Sequence, residues 1–574
     1  TTKSGKATKG LGVSISSHTD LGSPLKLPNY QYQYGQGRYG VYEYVDGMGT
    51  DGSKFDNIQE NWGPAMNGQL IKQWDSPIDP KTKERIATPF VAHKNQLKDF
   101  LETSKTFTNS LSLAGSSERL NYRFSYSNLS QTGMVPNTDM QRNSIGVNAG
   151  YKVLPNLSID VALNWVNSGS KNRASYGAKN NEGIMRIFLY MPRNLDINSL
   201  KDYWNHQSND TYQSSPIFNM NGTIWNNPYF VVNENLNGNN RDRVFGNVKA
   251  TYEFSPELKL MVRSGRDFYN DKRTMRHAVS SSQYKNGYYQ EDDVYFLETN
   301  HDFLLSYDKQ VGPDFSISAS AGGNLMTQIS KRLGAIALRL AIPNVYNLTN
   351  NDAPILAGNS YQEKQINSLY ATAQLGYKSM VYLDLTGRND WSSALPKANN
   401  SYFYPSASLS LIASELLGLT SEQINIIKLR GATSSVRRDL EPYKTLPNFL
   451  VSQGWGGGTV ATHNNNYPND HIRPEKVVSY EFGFDSKFFN NRLGLDLTYY
   501  KSITTDLIIP VTLNPSAGYD TKLLNVGKMT NHGMEVMLNA APVRNDNFSW
   551  NIFINYSFNR NRAVSLAEHK GISR

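Results

Sequence analysis

Several residue groups in this 574-residue chain have types and spacings that could do chemistry. Gly35-Gln36-Gly37-Arg38-Tyr39-Gly40 spells a dinucleotide fingerprint, whose glycines let a backbone approach a pyrophosphate. That chemistry needs a strand before the motif and a helix after it; here the letters sit among tyrosines, so nucleotide binding is not expected. Asp46, Asp51 and Asp56 lie in a Gly-rich stretch that could offer oxygen ligands to Ca²⁺, but without the spacing of an EF-hand, and a solvated loop is the simpler reading. His463, Asp470 and His471 share one Asn-rich stretch, where histidines are usually solvated; no metal site is assigned to them. There is no Ser/His/Asp set or paired-carboxylate arrangement, so the chain is not read as an enzyme.

The better candidates are aromatic and amide side chains. Aromatic faces stack on sugar rings or peptide side chains, and amides read hydroxyls and backbone groups. Arg388, Asn389, Asp390 and Trp391 close one apolar-polar alternating segment and Tyr402 and Tyr404 open the next; these six are candidate substrate contacts. Trp391, Tyr402 and Tyr404 would equally suit an interfacial aromatic girdle.

The element that must position them is the β-strand. Tyr is frequent at 35 residues, charged residues are only 19%, and Asn, Ser and Gly recur throughout, a composition of strands, turns and wet loops. The net charge of +9 is dispersed, which argues against a nucleic-acid stripe, and the absence of Cys excludes disulfides and thiolate sites. No apolar run approaches the roughly 20 residues of a membrane helix. The negative mean hydropathy does not exclude a membrane, because a barrel strand shows lipid only at every second residue.

Period-two alternation supplies the fold. Leu493, Leu495, Leu497 and Tyr499 oppose Gly494, Asp496, Thr498 and Tyr500; Trp550, Ile552 and Ile554 oppose Asn551, Phe553 and Asn555. About seventeen such segments are read, near 9–17, 104–115, 118–129, 140–152, 156–168, 243–254, 257–269, 293–308, 314–328, 363–378, 380–391, 401–413, 426–437, 475–488, 492–506, 522–541 and 547–562. Their connections alternate. Short turns such as Leu154-Pro155-Asn156 and Asn490-Asn491 take turns with long stretches at 18–103, 130–139, 169–242, 270–292, 329–362, 392–400, 438–474 and 507–521. Short turns on one rim and long loops on the other define an all-β, transmembrane antiparallel barrel, with the short turns periplasmic and the long loops extracellular. An odd count of segments predicts further strands after Arg574.

Specific stretches add a resemblance. Tyr382-Leu383-Asp384-Leu385-Thr386-Gly387-Arg388-Asn389-Asp390-Trp391-Ser392-Ser393, continuing into Leu395-Pro396 and Ser401-Tyr402-Phe403-Tyr404-Pro405-Ser406, is similar to the SusC/RagA family of TonB-dependent transporters of Bacteroidetes. So are Asn61-Trp62-Gly63-Pro64, Gly133-Met134-Val135-Pro136-Asn137, Arg473-Pro474-Glu475-Lys476, Asn525-Val526-Gly527 and Asn531-His532-Gly533-Met534-Glu535. One departure is Arg437-Arg438-Asp439, where the family commonly has a Gly-Asn-Asp turn.

The resemblance implies that residues 1–6 end a plug domain and that 7–574 belong to a barrel of about 22 strands, a size that suits a plugged lumen. It implies active import of an oligosaccharide or oligopeptide across the outer membrane, with TonB engaged through a region before Thr1 and a SusD-like surface lipoprotein as a lid. Lipopolysaccharide and bilayer would surround the barrel, and transporter pairs could dimerise. A passive porin or adhesin is the alternative reading. Tyr32, Tyr34, Tyr42, Trp62, Trp74, Trp204 and Trp225, in the two longest loops, are the expected anchors for the lid or the substrate.

Overall fold

The computed structural model describes residues 10–42, 60–173, 175, 183–206, 212–214, 225–454 and 458–566. The residues read as the end of a plug, and Asp46, Asp51 and Asp56, lie outside the described residues.

One seventeen-stranded antiparallel sheet dominates. We number its strands in chain order: β1 Gly10–Gly22, β2 Ser104–Ser116, β3 Leu120–Thr132, β4 Asp139–Leu154, β5 Leu157–Ser170 and β6 Asn237–Glu253. Then follow β7 Leu258–Val279, β8 Asn286–Val311, β9 Phe315–Ala337, β10 Leu356–Tyr377, β11 Val381–Ser392 and β12 Ser401–Ile412. The last are β13 Ile424–Arg438, β14 Glu475–Phe488, β15 Leu493–Thr505, β16 Lys528–Arg544 and β17 Ser549–Ser565. Residue registers join each strand to the next in the chain, so the sheet is a continuous meander. Every expected segment overlaps one of these strands.

Directly paired residues in an antiparallel sheet share a face, so the register shows what each face carries. One path runs Ile15, Leu111, Tyr126, Ile145, Trp165, Val244, Phe268, Leu297, Ile329 across nine strands. Another runs Val381, Leu411, Leu429, Phe484, Leu497, Val536, Tyr556. The opposite face gives Asp160, Lys249, Arg263, Asp302, Asn324, Ser368, Asp390, Tyr402 in one row from β5 to β12. An apolar face without a protein layer over it suits hydrocarbon, and the polar face suits an aqueous lumen. Leu493, Leu495, Leu497, Ile552 and Ile554 fall on the apolar face through Leu495–Leu538–Ile554 and Leu493–Ala540–Ile552, while Asp496, Met537 and Asn555 pair on the other. Asn551 shares the parity of Asn555.

Strands β7 to β10 are 22, 26, 23 and 22 residues long, about twice what a tilted bilayer crossing needs. Their hairpins run on past the membrane into stretches expected to be loops at 270–292 and 329–362. The outer face of β8 changes there from Leu297, Phe303 and Leu305 to Glu291 and Asp293. Lys331, whose ammonium lies 5.9 Å from the Tyr295 ring and 5.4 Å from the Tyr361 ring, marks that level. The expected segment 522–541 is two elements: Thr521–Asn525 pairs with Ile508–Thr512 in a small loop sheet, and Gly527, at φ 96°, breaks the chain before β16.

The short turns are tight. Lys378 and Ser379 both have positive φ, and Met380 N–H donates to Tyr377 O at 2.9 Å, the mirror-image turn that matches strand twist. Among the described residues no helix is long and apolar enough to cross a membrane; the crossings are made by strands.

Leu495→Arg should destabilise the barrel by roughly 2–4 kcal/mol if residue 495 lies near the midplane, measured by reversible unfolding in lipid. Spin labels at 495 and 496 should report oxygen-accessible lipid and nickel-accessible water respectively. The reverse pattern would shift the assigned register by one residue.

Candidate functional site

The polar face is braced by ion pairs, most of them between neighbouring strands; Arg430 of β13 reaches across β14 to Asp496 of β15, and Arg273 pairs with Asp271 along its own strand. Lys249 meets Asp160 at 3.1 Å, Arg263 meets Asp302 at 2.9 Å, Arg332 meets Asp292 at 2.9 Å and Arg430 meets Asp496 at 2.9 Å. Asp271 receives both Arg241 and Arg273, at 2.7 and 2.8 Å. Carboxylate and guanidinium pairs of this kind hold a polar wall without leaving unmatched charge.

At the outer rim the alternation separates the six expected substrate residues. Arg388, Asp390, Tyr402 and Tyr404 come together on the lumen face. Arg388 Nε donates to Asp390 Oδ1 at 2.8 Å and its Nη2 to Ser368 Oγ at 2.7 Å; Tyr404 OH donates to the other Asp390 oxygen, and Tyr402 stacks on Tyr404 at 6.1 Å. Asn389 and Trp391 point the other way, on the face of Leu383 and Leu385. Asn389 donates to Ser401 Oγ at 3.0 Å, and Trp391 is 38% exposed at the end of the apolar band, the position of an interfacial aromatic. Period two forbids all four consecutive residues from facing one ligand, so Asn389 and Trp391 are corrected to outward-facing positions.

Tyr402 is buried with Leu395 and Ile472, where three extracellular connections meet. Asp439, which follows the Arg437-Arg438 departure, accepts from Lys364 Nζ at 2.8 Å and from Ser392 Oγ at 2.5 Å. The cluster thus clamps the 439–474 connection to the wall. Beside it, Phe296, Gln328, Ser330, Gln362, Lys364 and Arg438 help line an open cleft of about 400 Å³. Nearby, Phe296 stacks on Tyr269 at 5.2 Å and 16°, with Arg241 over the Tyr269 ring at 4.5 Å. Ser330 and Gln362 were missed because the alternating segments were ended at 328 and begun at 363, and the same parity carried a few residues further would have reached them; Phe296, Gln328 and Lys364 lay inside expected segments but carried no signal of their own beyond lumen parity.

The two longest loops fold together. Helix α1 is Gln96–Phe100, α2 Ile184–Tyr190 and α3 Pro228–Glu234. Pro228 opens α3 and the Asn227 side chain caps it, accepting from Tyr229 N–H at 2.9 Å. Leu97, Phe100, Ile184, Ile187, Phe188, Met191, Leu195, Ile197, Leu200, Trp225, Val231 and Val232 form a buried core with Trp74 packed against it. The spacing of Ile184, Ile187, Phe188 and Met191 is that of one helix face, and it was the available signal.

This core sorts the seven expected anchors. Trp225 is 3% exposed and stacks on Tyr190 at 4.5 Å, so it holds the loop unit together and is not a surface anchor. Trp74 is half-buried against the core, Trp204 meets Phe230 edge-on at 5.3 Å and Tyr42 meets Phe90 at 5.3 Å. Tyr32 and Tyr34 are half-buried. Trp62 is 62% exposed and offers the broadest face. The Gly35–Gly40 motif lies in the same unit: a Cβ on Gly37 would sit 2.0 Å from Val41 O, and Gly37 bridges to Asn61. Gly37 thus admits backbone to backbone, Gly35 leaves room for the Phe90 ring and Gly40 takes a positive φ, each a packing or turn role. His463 packs on Tyr519 at 4.7 Å, and His471 lies 3.4 Å from Asp470 in an exposed turn.

Comparison with known proteins places this architecture. The profile of the TonB dependent receptor-like β-barrel family matches residues 188–572. The chain belongs to that family of outer-membrane receptors, and its relatives are of the SusC/RagA type. One TonB-dependent receptor of Formosa agariphila is 25% identical over 593 residues, covering 97% of this chain and 56% of its own length. TonB-dependent receptor SusC of Bacteroides thetaiotaomicron is 24% identical over 482 residues, covering 79% of this chain and 47% of its own. The chain thus spans about half the length of these curated relatives. Among solved structures, the RagAB peptide importer in its closed-closed state superposes with a TM-score of 0.77 at 17% identity, covering 98% of this chain and 62% of that one.

Trp225→Ala should cost the loop unit about 3–5 kcal/mol, seen as faster hydrogen exchange at 184–200 with the wall strands unchanged. In the same unit, burial pushes the Asp75 carboxyl above the usual carboxylate range, against the Asp196 N–H it accepts at 3.0 Å and the charge of His93. The folded unit therefore binds this proton more tightly than the unfolded chain. Its contribution is full in acid, below the ordinary carboxylate pKa, and is lost as pH rises through the raised value. Opening free energies across 184–200, corrected for intrinsic exchange, should fall over that interval in the wild type and stay flatter in Asp75→Asn.

Proposed function

We propose that this chain is the barrel of an importer that carries an oligosaccharide or oligopeptide across the outer membrane, coupled to TonB and covered by a SusD-like lipoprotein. The observation that carries this reading is the row of paired polar residues from Asp160 to Tyr402 on the face away from the apolar band. It lines a conduit with hydrogen-bonding groups and offers no reactive set. The packed loop unit supports a lid, because a partner that docks on preformed loops does not have to order them. Trp62 is the foremost contact for it. Arg388, Tyr402 and Tyr404, with the Phe296 cleft beside them, are where a solute would meet the wall.

A passive porin is the competing reading, and energy coupling separates the two. Cells carrying the complete protein should accumulate a labelled oligosaccharide or oligopeptide, and uptake should stop when TonB is deleted or the proton gradient is collapsed. Uptake that persists without TonB would make the protein a porin.

A further inference from the structure

The extracellular loop unit holds a charged group that none of the readings above uses. Arg193, just beyond α2, is 3% exposed. Its Nη2 donates to Phe188 O and Leu189 O, each at 3.0 Å, and its Nη1 to Gln96 Oε1 at 3.3 Å. The Tyr30 ring lies 3.9 Å from the guanidinium carbon. All of these partners are neutral. Burial lowers the Arg193 pKa, and among the described residues no carboxylate is one of the groups that act on it; Tyr30 is pushed above its ordinary value and stays a neutral phenol. Carbonyls at the end of α2 and an aromatic face offset part of the desolvation of a guanidinium. They do not neutralise it, and buried charges in proteins are normally paired.

Arg193 borders a cavity of about 80 Å³, lined also by Leu27, Pro28, Tyr30, Tyr32, Lys94, Gln96 and Lys98. Among the described residues three of those lining it are cationic and none is acidic. The Tyr32 hydroxyl donates to Lys94 O at 3.0 Å and so fixes one wall. Three guanidinium N–H groups are engaged by the three hydrogen bonds above, which leaves two of the five that an arginine carries.

We propose that this cavity is an anion site: it takes one carboxylate, sulfate or phosphate group, held by Arg193 from below and by Lys94 and Lys98 from the rim. The volume admits a single such group and not a whole sugar ring or residue. A carboxylate or sulfate belongs to an acidic solute, whereas a phosphate can also come from lipopolysaccharide. The chemistry is shared and the source is an experimental question. The site stands apart from the import reading, since it would bind whether or not the barrel is energised.

Calorimetric titration of the complete purified transporter with sodium sulfate, sodium acetate and sodium phosphate, at fixed ionic strength, should give saturable binding in the millimolar range or tighter. Lys94→Ala/Lys98→Ala changes only exposed side chains and should weaken it by roughly tenfold or more, about 1.4 kcal/mol. Arg193→Met should abolish it, with hydrogen exchange at 184–200 monitored to confirm that the unit stays folded. Trigalacturonate and lipopolysaccharide vesicles then separate an acidic solute from a lipid headgroup by which one binds more tightly than the simple ion and loses that gain in the double-lysine variant. Absence of saturable binding in the wild type, or equal affinity in the wild type and the double-lysine variant, would overturn the proposal.

Discussion

Everything in this molecule follows from the cost of leaving a backbone N–H or C=O unpaired in hydrocarbon, several kcal/mol for each group. A strand can meet that demand only by pairing along both edges, so the chain commits to long antiparallel strands joined in sequence order. Pairing fixes register, and register fixes the faces. The row Ile15 to Ile329 and the row Asp160 to Tyr402 are two consequences of one constraint. A one-residue slip of β15 would put Asp496 against lipid and Leu495 in the lumen.

The lumen face carries its own requirement. Charges on this face need partners of opposite sign: Lys249 and Arg263 stand opposite one another, and each turns to a carboxylate on its other side, Asp160 and Asp302, while Arg430 reaches across one strand to Asp496. The result is a wall that is polar yet largely self-satisfied. That has a functional corollary. A solute passing such a wall competes with existing pairs, so individual contacts are weak, which suits passage better than tight retention. Asp390 shows the point: it already accepts from Arg388 and Tyr404, and its role at the rim is to hold those two side chains in place, while Asp439 ties the nearby 439–474 connection to the wall through Lys364 and Ser392.

The strands were legible in the sequence because lipid enforces strict alternation where it touches them. They became illegible where it does not. On β8 and β10 the outer face turns polar at Glu291, Asp293, Glu363 and Gln365, the apolar-polar contrast fades, and pairing continues unseen. The rim site was half legible for the same reason: residue types marked Arg388 to Trp391 as one motif, but alternation sends Asn389 and Trp391 outward. In the loops the error ran the other way. Aromatic content suggested exposed anchors, while the helical spacing of Ile184, Ile187, Phe188 and Met191 encoded a core that claims Trp225.

That core changes what the long loops can do. A loop of some sixty or more residues without structure would lose conformational entropy in ordering against any partner, of order 1–2 kcal/mol for each residue fixed. Here the cost is met during folding by burial of Phe100, Phe188, Leu200 and their neighbours. The same packing is what can hold Arg193 in a nearly dry position, since a mobile loop would swing a guanidinium back into water. Rigid placement of an uncompensated charge is therefore a property of the loop unit as a whole. A loop core deep enough to fix Arg193 turns the extracellular side from a set of tethers into a preformed surface with a defined electrostatic preference.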